Sequence, residues 1–457
     1  MTATVLLYSH NKNTTDPRYF FMVLPIILGL ITFLIMIFSI LFFPKIKLFK
    51  FEIDTYWIVT LIGAVAVLAF SPTKPQTVGK ALIADTAINP LKILVLFISM
   101  TILSIFLDEL GFFRFLASIT LKHARTGQMK LFLYLYITVS FLTVFTSNDI
   151  IILSFTPFIC YFAKNAKIDP LPYLAAEFVA ANTWSMLFII GNPTNIYLAT
   201  ASGIGFLEYI KYSFLPTIFG GLISFLALFL LFRKKLNAPM QAESEKVKIE
   251  DKLSLFVGIA HLGICTVFLA IGSYIGTEMW LVSLCAVISL FIFNIIIAIF
   301  RRKKPEAFLC CLKRAPYQLV PFVLSMFVII VVLGDIGFTE KTAALIGEKL
   351  PIIKYGISSF LSANIINNIP MSVLFSSIIA ESGSAAGLPA VFATVIGSNI
   401  GAFFTPIGAL AGIMWSSIIG KHGVKFGYTD FLKVGFTVAV PTLAASLLGL
   451  FVSFLIF

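Results

Sequence analysis

The chain has 457 residues, of which 59% are apolar and only 12% are charged. Soluble domains carry roughly 25% charged residues, so this chain cannot cover a water-facing surface and is predicted to be an integral membrane protein. Its net charge of +12 comes from basic residues in short loops between apolar segments, which is typical of membrane topology and not of nucleic acid binding.

Apolar segments long enough to cross a bilayer follow one another along the chain, since a spanning helix needs about 20 such residues. In chain order they are residues 19–43, 55–73, a shorter one at 93–107, 131–148, 212–232, 253–277, 279–300, 315–334 and 434–457. The first is too long for a signal-peptide core, and no small-residue cleavage site follows it, so we expect it to be retained.

Two apolar regions, residues 150–207 and 355–420, are instead crowded with Asn, Ser, Thr, Gly and Pro. Helix breakers at membrane depth are tolerated only inside protein or beside a water-filled cavity, so re-entrant hairpins and broken helices are predicted there. The expected fold is an all-α polytopic membrane protein with about 10–12 transmembrane segments.

The two irregular regions occupy corresponding places in two halves of the chain, which suggests an internal repeat. The sequence LDELGFF at 107–113 matches LGDIGFT at 333–339. Asn148 matches Asn367, and further along Pro193 matches Pro406, with the order kept.

Loop charges give the relative orientation of the halves. Basic residues mark loops 233–252 and 301–314 as cytoplasmic, and counting outward puts loop 110–130 inside and its counterpart 336–353 outside. Two inverted-topology repeats are therefore predicted, with both termini extracytoplasmic and the whole chain in the plasma membrane as a multi-pass protein. Their bounds are residues 1–235 and 253–457, joined by a cytoplasmic linker at 236–252.

Inverted repeats with paired broken helices are typical of secondary transporters, whose site lies near the midplane where half-helix ends meet. The sequence has no GxxxxGK[ST] phosphate loop, and its four histidines are scattered, so we expect no ATPase activity, metal or cofactor in this chain. A membrane-embedded enzyme would need a catalytic pair that the sequence does not offer. A passive channel is a further alternative, distinguishable because it could not move solute uphill.

The first hairpin tip contains Ser147, Asn148 and Asp149. A carboxylate in an apolar stretch is costly and usually marks an ion or proton pathway, so Asp149 is the leading candidate for coupling to H⁺ or Na⁺. A helix N-cap is the alternative, and the two roles can coexist. Glu177 is a second coupling candidate, although a nearby loop could let it reach the interface. Asp108 ends a spanning helix next to a glycine, where we expect loop solvation.

The second tip contains Asn364, Asn367 and Asn368, with an amide where the first tip has a carboxylate. Amides both donate and accept hydrogen bonds, so they suit a polyhydroxy or oxyanion ligand or a carbonyl-type cation site. They could instead bond helices to one another.

Helix breaks supply the remaining candidates for substrate or ion binding. Gly and Pro interrupt a helix and free amides at a half-helix N-terminus, where polar ligands bind; a packed kink is the alternative. These residues are Gly191, Asn192, Pro193, Thr194 and Asn195 in the first half, and Ser398, Asn399, Thr405, Pro406 and Gly408 in the second. No Lys or Arg occurs at 178–207 or 355–380, which favours a neutral solute or a coupled cation over a strongly charged anion.

These motifs resemble the ion-transporter superfamily of arsenite efflux pumps, sodium/proton antiporters and citrate-type carboxylate symporters. LDELGFFRFLA, the Asn148-Asp149 tip, the Asn367-Asn368-Ile369-Pro370 turn and VIGSNIGAFFTPIGALAGIMW resemble the arsenite/antimonite pump membrane subunit in the same order. The similarity extends over most of the chain from about residue 55. Two positions depart from that pattern: Ile150 replaces a small Gly, and Asn399 replaces an acidic residue.

The resemblance implies export of trivalent arsenic or antimony driven by proton entry, with an optional cytosolic ATPase partner. Homodimers would also agree with it. Arsenite is mainly an uncharged trihydroxide at neutral pH, in agreement with amide-rich tips. GNPTNI is instead similar to the anion and sodium/proton branches, so sodium-coupled di- or tricarboxylate symport, other anion symport and sodium/proton antiport are the alternatives.

Overall fold

The computed structural model describes residues 17–48, 51–85, 89–123, 127–237, 240, 248–272, 274–383 and 387–457. These ranges are helical apart from short connections and one antiparallel β-hairpin, β1 (Lys45–Leu48) and β2 (Phe51–Asp54). Residues 1–16, for which the sequence predicts an extracytoplasmic position, and most of the 236–252 linker lie outside these ranges.

The first half contains ten α-helices within the described ranges. They are α1 (Pro17–Phe42), α2 (Thr55–Ala69), α3 (Pro75–Ile83), α4 (Pro90–Glu109), α5 (Phe112–His123), α6 (Gln128–Phe145), α7 (Asn148–Asn165), α8 (Leu171–Trp184), α9 (Pro193–Ala201) and α10 (Phe206–Leu236), with a 3₁₀ turn at Ile189–Gly191.

The second half contains eleven α-helices within the described ranges, in a similar succession of long, short and interrupted helices. They are α11 (Lys252–Gly272), α12 (Met279–Phe300), α13 (Glu306–Arg314), α14 (Leu319–Asp335), α15 (Phe338–Ile346), α16 (Pro351–Ile366), α17 (Asn368–Glu381), α18 (Gly387–Gly401), α19 (Leu410–Lys421), α20 (Tyr428–Val434) and α21 (Val440–Ile456), with a π turn at Gly435–Ala439.

Eight helical stretches within the described residues are long and apolar enough to cross a membrane. All nine apolar segments proposed from sequence are helical. Eight of them lie in these long stretches, and the remaining one, at 55–73, forms the shorter apolar helix α2. Both irregular regions contain interrupted helices, since α8 and α9 are separated by residues 185–192 and α18 and α19 by residues 402–409. The structure thus confirms an all-α, multi-pass membrane fold.

Helix packing repeats between the halves. Helix α2 packs on α1 and α14, and its counterpart α12 packs on α11 and α4. Helix α6 packs on α8 as α16 packs on α18, and each hairpin arm contacts the post-break helix of the other half, α7 with α19 and α17 with α9. The long helices α10 and α21 pack along one another. The chosen repeat bounds, 1–235 and 253–457, stay a prediction.

Ion pairs among the described residues agree with the predicted sides of the membrane. Lys235 belongs to a loop predicted to be cytoplasmic. Its Nζ lies 2.6 Å from Oδ2 of Asp169, in the connection between α7 and α8. Lys92 contacts Glu278 at 2.6 Å on the side predicted to be external. Each pair joins residues that loop charge assigns to the same face.

Candidate functional site

The first hairpin tip is a two-residue turn between α6 and α7. Asn148 is buried, and its Nδ2 donates to Oδ1 of Asn182 on α8 over 3.0 Å. Its own Oδ1 accepts the Asp149 backbone N–H, also at 3.0 Å. Asn148 therefore fixes the tip to the neighbouring half-helix.

Asp149 stands in the first turn of α7 and is half-buried. Among the described residues its carboxylate has no hydrogen bond or ion pair, and Ser147, not Asp149, occupies the N-cap position. The positive end of the helix dipole favours a negative charge here. Because it has no partner within the described residues, the carboxylate is free to accept a proton or a cation.

Glu177 lies in the middle of α8 and is 0% exposed. The Thr156 hydroxyl lies 3.0 Å and 3.1 Å from its two carboxylate oxygens, and Trp415 Nε1 lies 3.3 Å from Oε2. These donors come from α7 and α19, and no basic side chain of the described chain pairs with it. The structure thus places Glu177 in the core, away from the interface that its nearby loop suggested.

The break between α8 and α9 is organised by two asparagines. Asn192 caps α9, with its Oδ1 accepting from the Thr194 backbone N–H at 3.1 Å and the Thr194 hydroxyl at 3.0 Å. Asn195 Nδ2 donates 2.8 Å to the Ser185 carbonyl. A Cβ on Gly191 would lie 2.4 Å from that same carbonyl oxygen, so only glycine fits the turn. Pro193 occupies the first turn of α9, where its missing N–H costs nothing.

Asn399 of α18 connects the second half to this break. Its Oδ1 accepts from the Ser185 hydroxyl at 3.0 Å and from Asn192 Nδ2 at 2.9 Å. Its Nδ2 donates to Asn195 Oδ1 at 2.7 Å and to the Val395 carbonyl at 2.8 Å. All hydrogen-bonding capacity of one buried amide is used, and three predicted site residues meet in one cluster.

The second tip is bonded to its own break. A single residue, Asn367, separates α16 from α17 at a φ of 73°, and its Nδ2 donates to the Ile407 carbonyl at 3.0 Å. The Asn368 backbone N–H donates to the Gly408 carbonyl at 3.0 Å. The Thr405 hydroxyl, beside Pro406, donates to Asn364 Oδ1 at 2.6 Å. The second set of predicted residues therefore forms its own cluster.

Two predicted residues carry buried hydroxyls that lack a partner within the described chain. Ser147 Oγ lies at the first tip, and Ser398 Oγ precedes Asn399 on α18. A buried hydroxyl is normally hydrogen-bonded, so each can bond an incoming polar group.

Sequence reasoning missed several partners of these residues, among them Asn182, Ser185, Thr156 and Trp415. Asn182, Thr156 and Trp415 are polar side chains inside apolar helices, and Ser185 directly follows one, which is the signal that could have revealed them. Asp108 corrects an expectation: it is 6% exposed instead of loop-solvated. Its Oδ1 accepts from the Ser154 hydroxyl of α7 at 2.6 Å, and its Oδ2 pairs with Arg314 at 2.8 Å.

Residues 48–397 match the family model described as Citrate transporter. The chain belongs to this citrate transporter family. That membership, with the apolar helices described above, makes it a multi-pass membrane transporter and confirms the resemblance to the ion-transporter superfamily.

Relatives add detail on the family. An arsenical pump membrane protein of Escherichia coli is 26% identical over 369 residues, covering 78% of this chain and 84% of that protein. A putative arsenical pump membrane protein of Bacillus subtilis (strain 168) is 25% identical, with 73% and 80% covered. The 46 kDa membrane protein of Mycobacterium leprae (strain TN) is 23% identical, with 80% and 87% covered.

One solved structure shares the fold. The YdaH transporter of Alcanivorax borkumensis, described as having an unusual topology, superimposes with a TM-score of 0.55 at 13% identity. The match covers 95% of this chain and 98% of that one. Nearly the whole chain thus follows a known transporter architecture.

Proposed function

We propose that this transporter exports trivalent arsenic or antimony across the plasma membrane in exchange for protons, by alternating access. The proposal rests on one observation: the structure contains both a cluster of amides and hydroxyls at the helix breaks and a carboxylate without a partner, Asp149, at the first tip. Relatives named as arsenical pump membrane proteins favour this solute over citrate.

The chemistry of the cluster suits an uncharged trihydroxide. Such a solute donates and accepts hydrogen bonds, and the hydroxyls of Ser147 and Ser398 are free to bond it. The stretches 178–207 and 355–380 contain no Lys or Arg, so they hold no fixed cation to attract a strongly charged anion.

Proton coupling requires an ionisable group that changes charge during the cycle. Asp149 is half-buried at the tip of a hairpin and has no partner in the described chain, while Glu177 is enclosed by Thr156 and Trp415. In this scheme Asp149 carries the coupling proton and Glu177 is a second, more enclosed acceptor between α7, α8 and α19. Exchange of an outgoing neutral solute for an incoming proton moves net charge across the membrane, so the cycle is electrogenic.

The decisive experiment uses everted membrane vesicles that contain the full chain and no cytosolic ATPase. We expect arsenite accumulation inside vesicles with an acidic lumen, and its loss when a protonophore collapses the gradient. Antimonite should compete for the same flux. Accumulation that persists after the gradient is collapsed would contradict proton coupling. Arsenite entry that never exceeds the outside concentration would contradict coupled export and indicate a channel.

Carboxylate symport is the second candidate, favoured by the family description. Helices α9 and α17 begin within the two irregular regions, and the positive end of each helix dipole favours a carboxylate there. Sodium-dependent uptake of citrate or succinate into right-side-out vesicles, without arsenite flux, would establish it. A sodium gradient that moves protons without either solute would instead identify sodium/proton antiport.

A further inference from the structure

A cavity of about 790 Å³ lies at the predicted cytoplasmic ends of α4, α11, α12 and α13. Its wall includes Glu109, Ser254, Asn294, Arg301 and Cys310, and no residue of the tips or breaks lines it. It is therefore separate from the transport site.

The charges around this cavity do not balance. Arg301 pairs with Asp251 at 2.7 Å, and Glu109 pairs with Arg314. Among the described lining residues, these charged side chains have no ion pair: basic Arg114, Lys248, Lys303 and Lys304, and acidic Glu250 and Glu306. The excess is positive, so an anion is favoured.

Asn294 gives the cavity a polar wall below that charged rim. It is 5% exposed, and its Oδ1 has no hydrogen-bond partner in the described part of the chain. It precedes the end of α12 by six residues, which is roughly 9 Å along the helix. A buried acceptor without a donor calls for a ligand that brings a hydroxyl or N–H group.

The cavity also adjoins surface that faces lipid. Ile299 and Phe300, at the end of α12, are 69% and 85% exposed, and Phe256 on α11 is 70% exposed. Apolar side chains of this size in contact with the bilayer give acyl chains a place to lie beside the charged rim. Basic cavities at the cytoplasmic ends of membrane helices bind lipid headgroups.

We propose that this cavity binds the headgroup of an anionic phospholipid from the cytoplasmic leaflet. Lys303 and Lys304 contact the phosphate, and a headgroup hydroxyl donates to Asn294 Oδ1. A soluble phosphomonoester shares the phosphate chemistry, but the adjoining apolar surface favours the lipid. Glu109 lines the cavity next to Asp108, which bonds the α7 arm, so an occupant lies close to the hairpin.

The test is native mass spectrometry of the full chain in detergent, titrated separately with phosphatidylglycerol, phosphatidylethanolamine and glycerol phosphate. We expect selective retention of phosphatidylglycerol and an approximately 30-fold weaker affinity in Lys303→Ala/Lys304→Ala. The matched control, Lys421→Ala/Lys425→Ala, removes two exposed basic residues outside the cavity and should bind normally. Equal binding of both lipids, or full displacement by glycerol phosphate, would overturn the lipid assignment.

A second variant separates binding from folding. Asn294→Leu removes a buried amide oxygen that has no partner, so thermal stability should be kept or raised, whereas phosphatidylglycerol affinity should fall several-fold. Unchanged affinity in this variant would remove Asn294 from the site. Because binding is read on purified protein, failure here leaves the transport proposal intact, and the reverse also holds.

Discussion

The two hairpin tips occupy equivalent places but are built differently. At the first, Asn148 bonds a side chain of α8, and the adjacent Asp149 carboxylate is unpartnered within the described chain. At the second, Asn367 and the backbone of Asn368 donate to carbonyls of the break that follows α18. The first tip holds a half-buried ionisable group without a partner, and the second is joined to its own break.

This difference separates two requirements of a coupled transporter. A group that binds and releases protons must change charge without unfolding its surroundings, which favours a carboxylate with few fixed bonds. A binding cluster must keep its shape, which favours buried amides whose bonds are all made. In the proposed cycle, the first tip binds and releases the proton, and the second tip maintains the shape of the binding site.

The largest effect is expected from Asp149→Asn, which makes the first tip as neutral as the second. Proton-driven arsenite accumulation in everted vesicles should fall by roughly 100-fold or more, because the coupling group can no longer change charge. The protein should still fold, since no hydrogen bond of the carboxylate is lost.

The matched control for that variant is Glu208→Gln, which neutralises an exposed acid at the start of α10. It should transport normally. Full proton-driven flux in Asp149→Asn would remove Asp149 from the coupling role and leave Glu177 as the remaining candidate.

Next in size is Asn399→Leu, which tests the cluster shared between the halves. It leaves Ser185, Asn192 and Asn195 without their bonds to Asn399, so the free energy of unfolding should drop by about 3 kcal/mol or more. Thermal unfolding in detergent measures the change.

Thr394→Val is the control on the same helix, because its hydroxyl bonds only the Ala390 carbonyl within α18. It should cost less than about 1 kcal/mol. An equal loss of stability in both variants would mean that Asn399 contributes only its own helix bond.

The sequence predicts much of this arrangement because membrane burial penalises polar residues and helix breakers wherever they lack a role. Asp149, Glu177 and the amides at 191–195, 367–368 and 399 stand out for that reason. Loop charge likewise predicts the sides on which the Lys235–Asp169 and Lys92–Glu278 pairs lie.

Partner identity could not be predicted in the same way. That Asn399 bonds residues more than 200 positions earlier depends on how α18 packs against the first break. Asp108 looks like a loop residue because it lies three positions before Gly111, and only the packing of α13 and α7 shows its contacts with Arg314 and Ser154. Local sequence contains no information on such long-range neighbours.

A smaller effect is expected from Gly408→Ala, which tests the attachment of the second tip. The new Cβ would lie 2.2 Å from the Gly401 carbonyl oxygen and 3.0 Å from Asn364 Oδ1, so the break must shift away from the tip. We expect a loss of about 1–3 kcal/mol in unfolding free energy and reduced transport. The control is Gly263→Ala on α11, where the new Cβ meets nothing within 4 Å and should stabilise the protein slightly. Similar stability and transport in both variants would show that the second tip need not stay attached to its break.

The smallest effect should come from Ser147→Ala and Ser398→Ala, which remove the buried hydroxyls without partners. A purely structural role predicts unchanged or higher stability and no change in transport, because an unsatisfied polar group is deleted. Contact with the solute predicts the same stability but about a fivefold higher KM for arsenite, the value of one hydrogen bond. Ser446→Ala deletes an equally buried, unpartnered hydroxyl on α21 and should leave KM unchanged. If all three variants keep the wild-type KM, the free hydroxyls of Ser147 and Ser398 do not contact the solute.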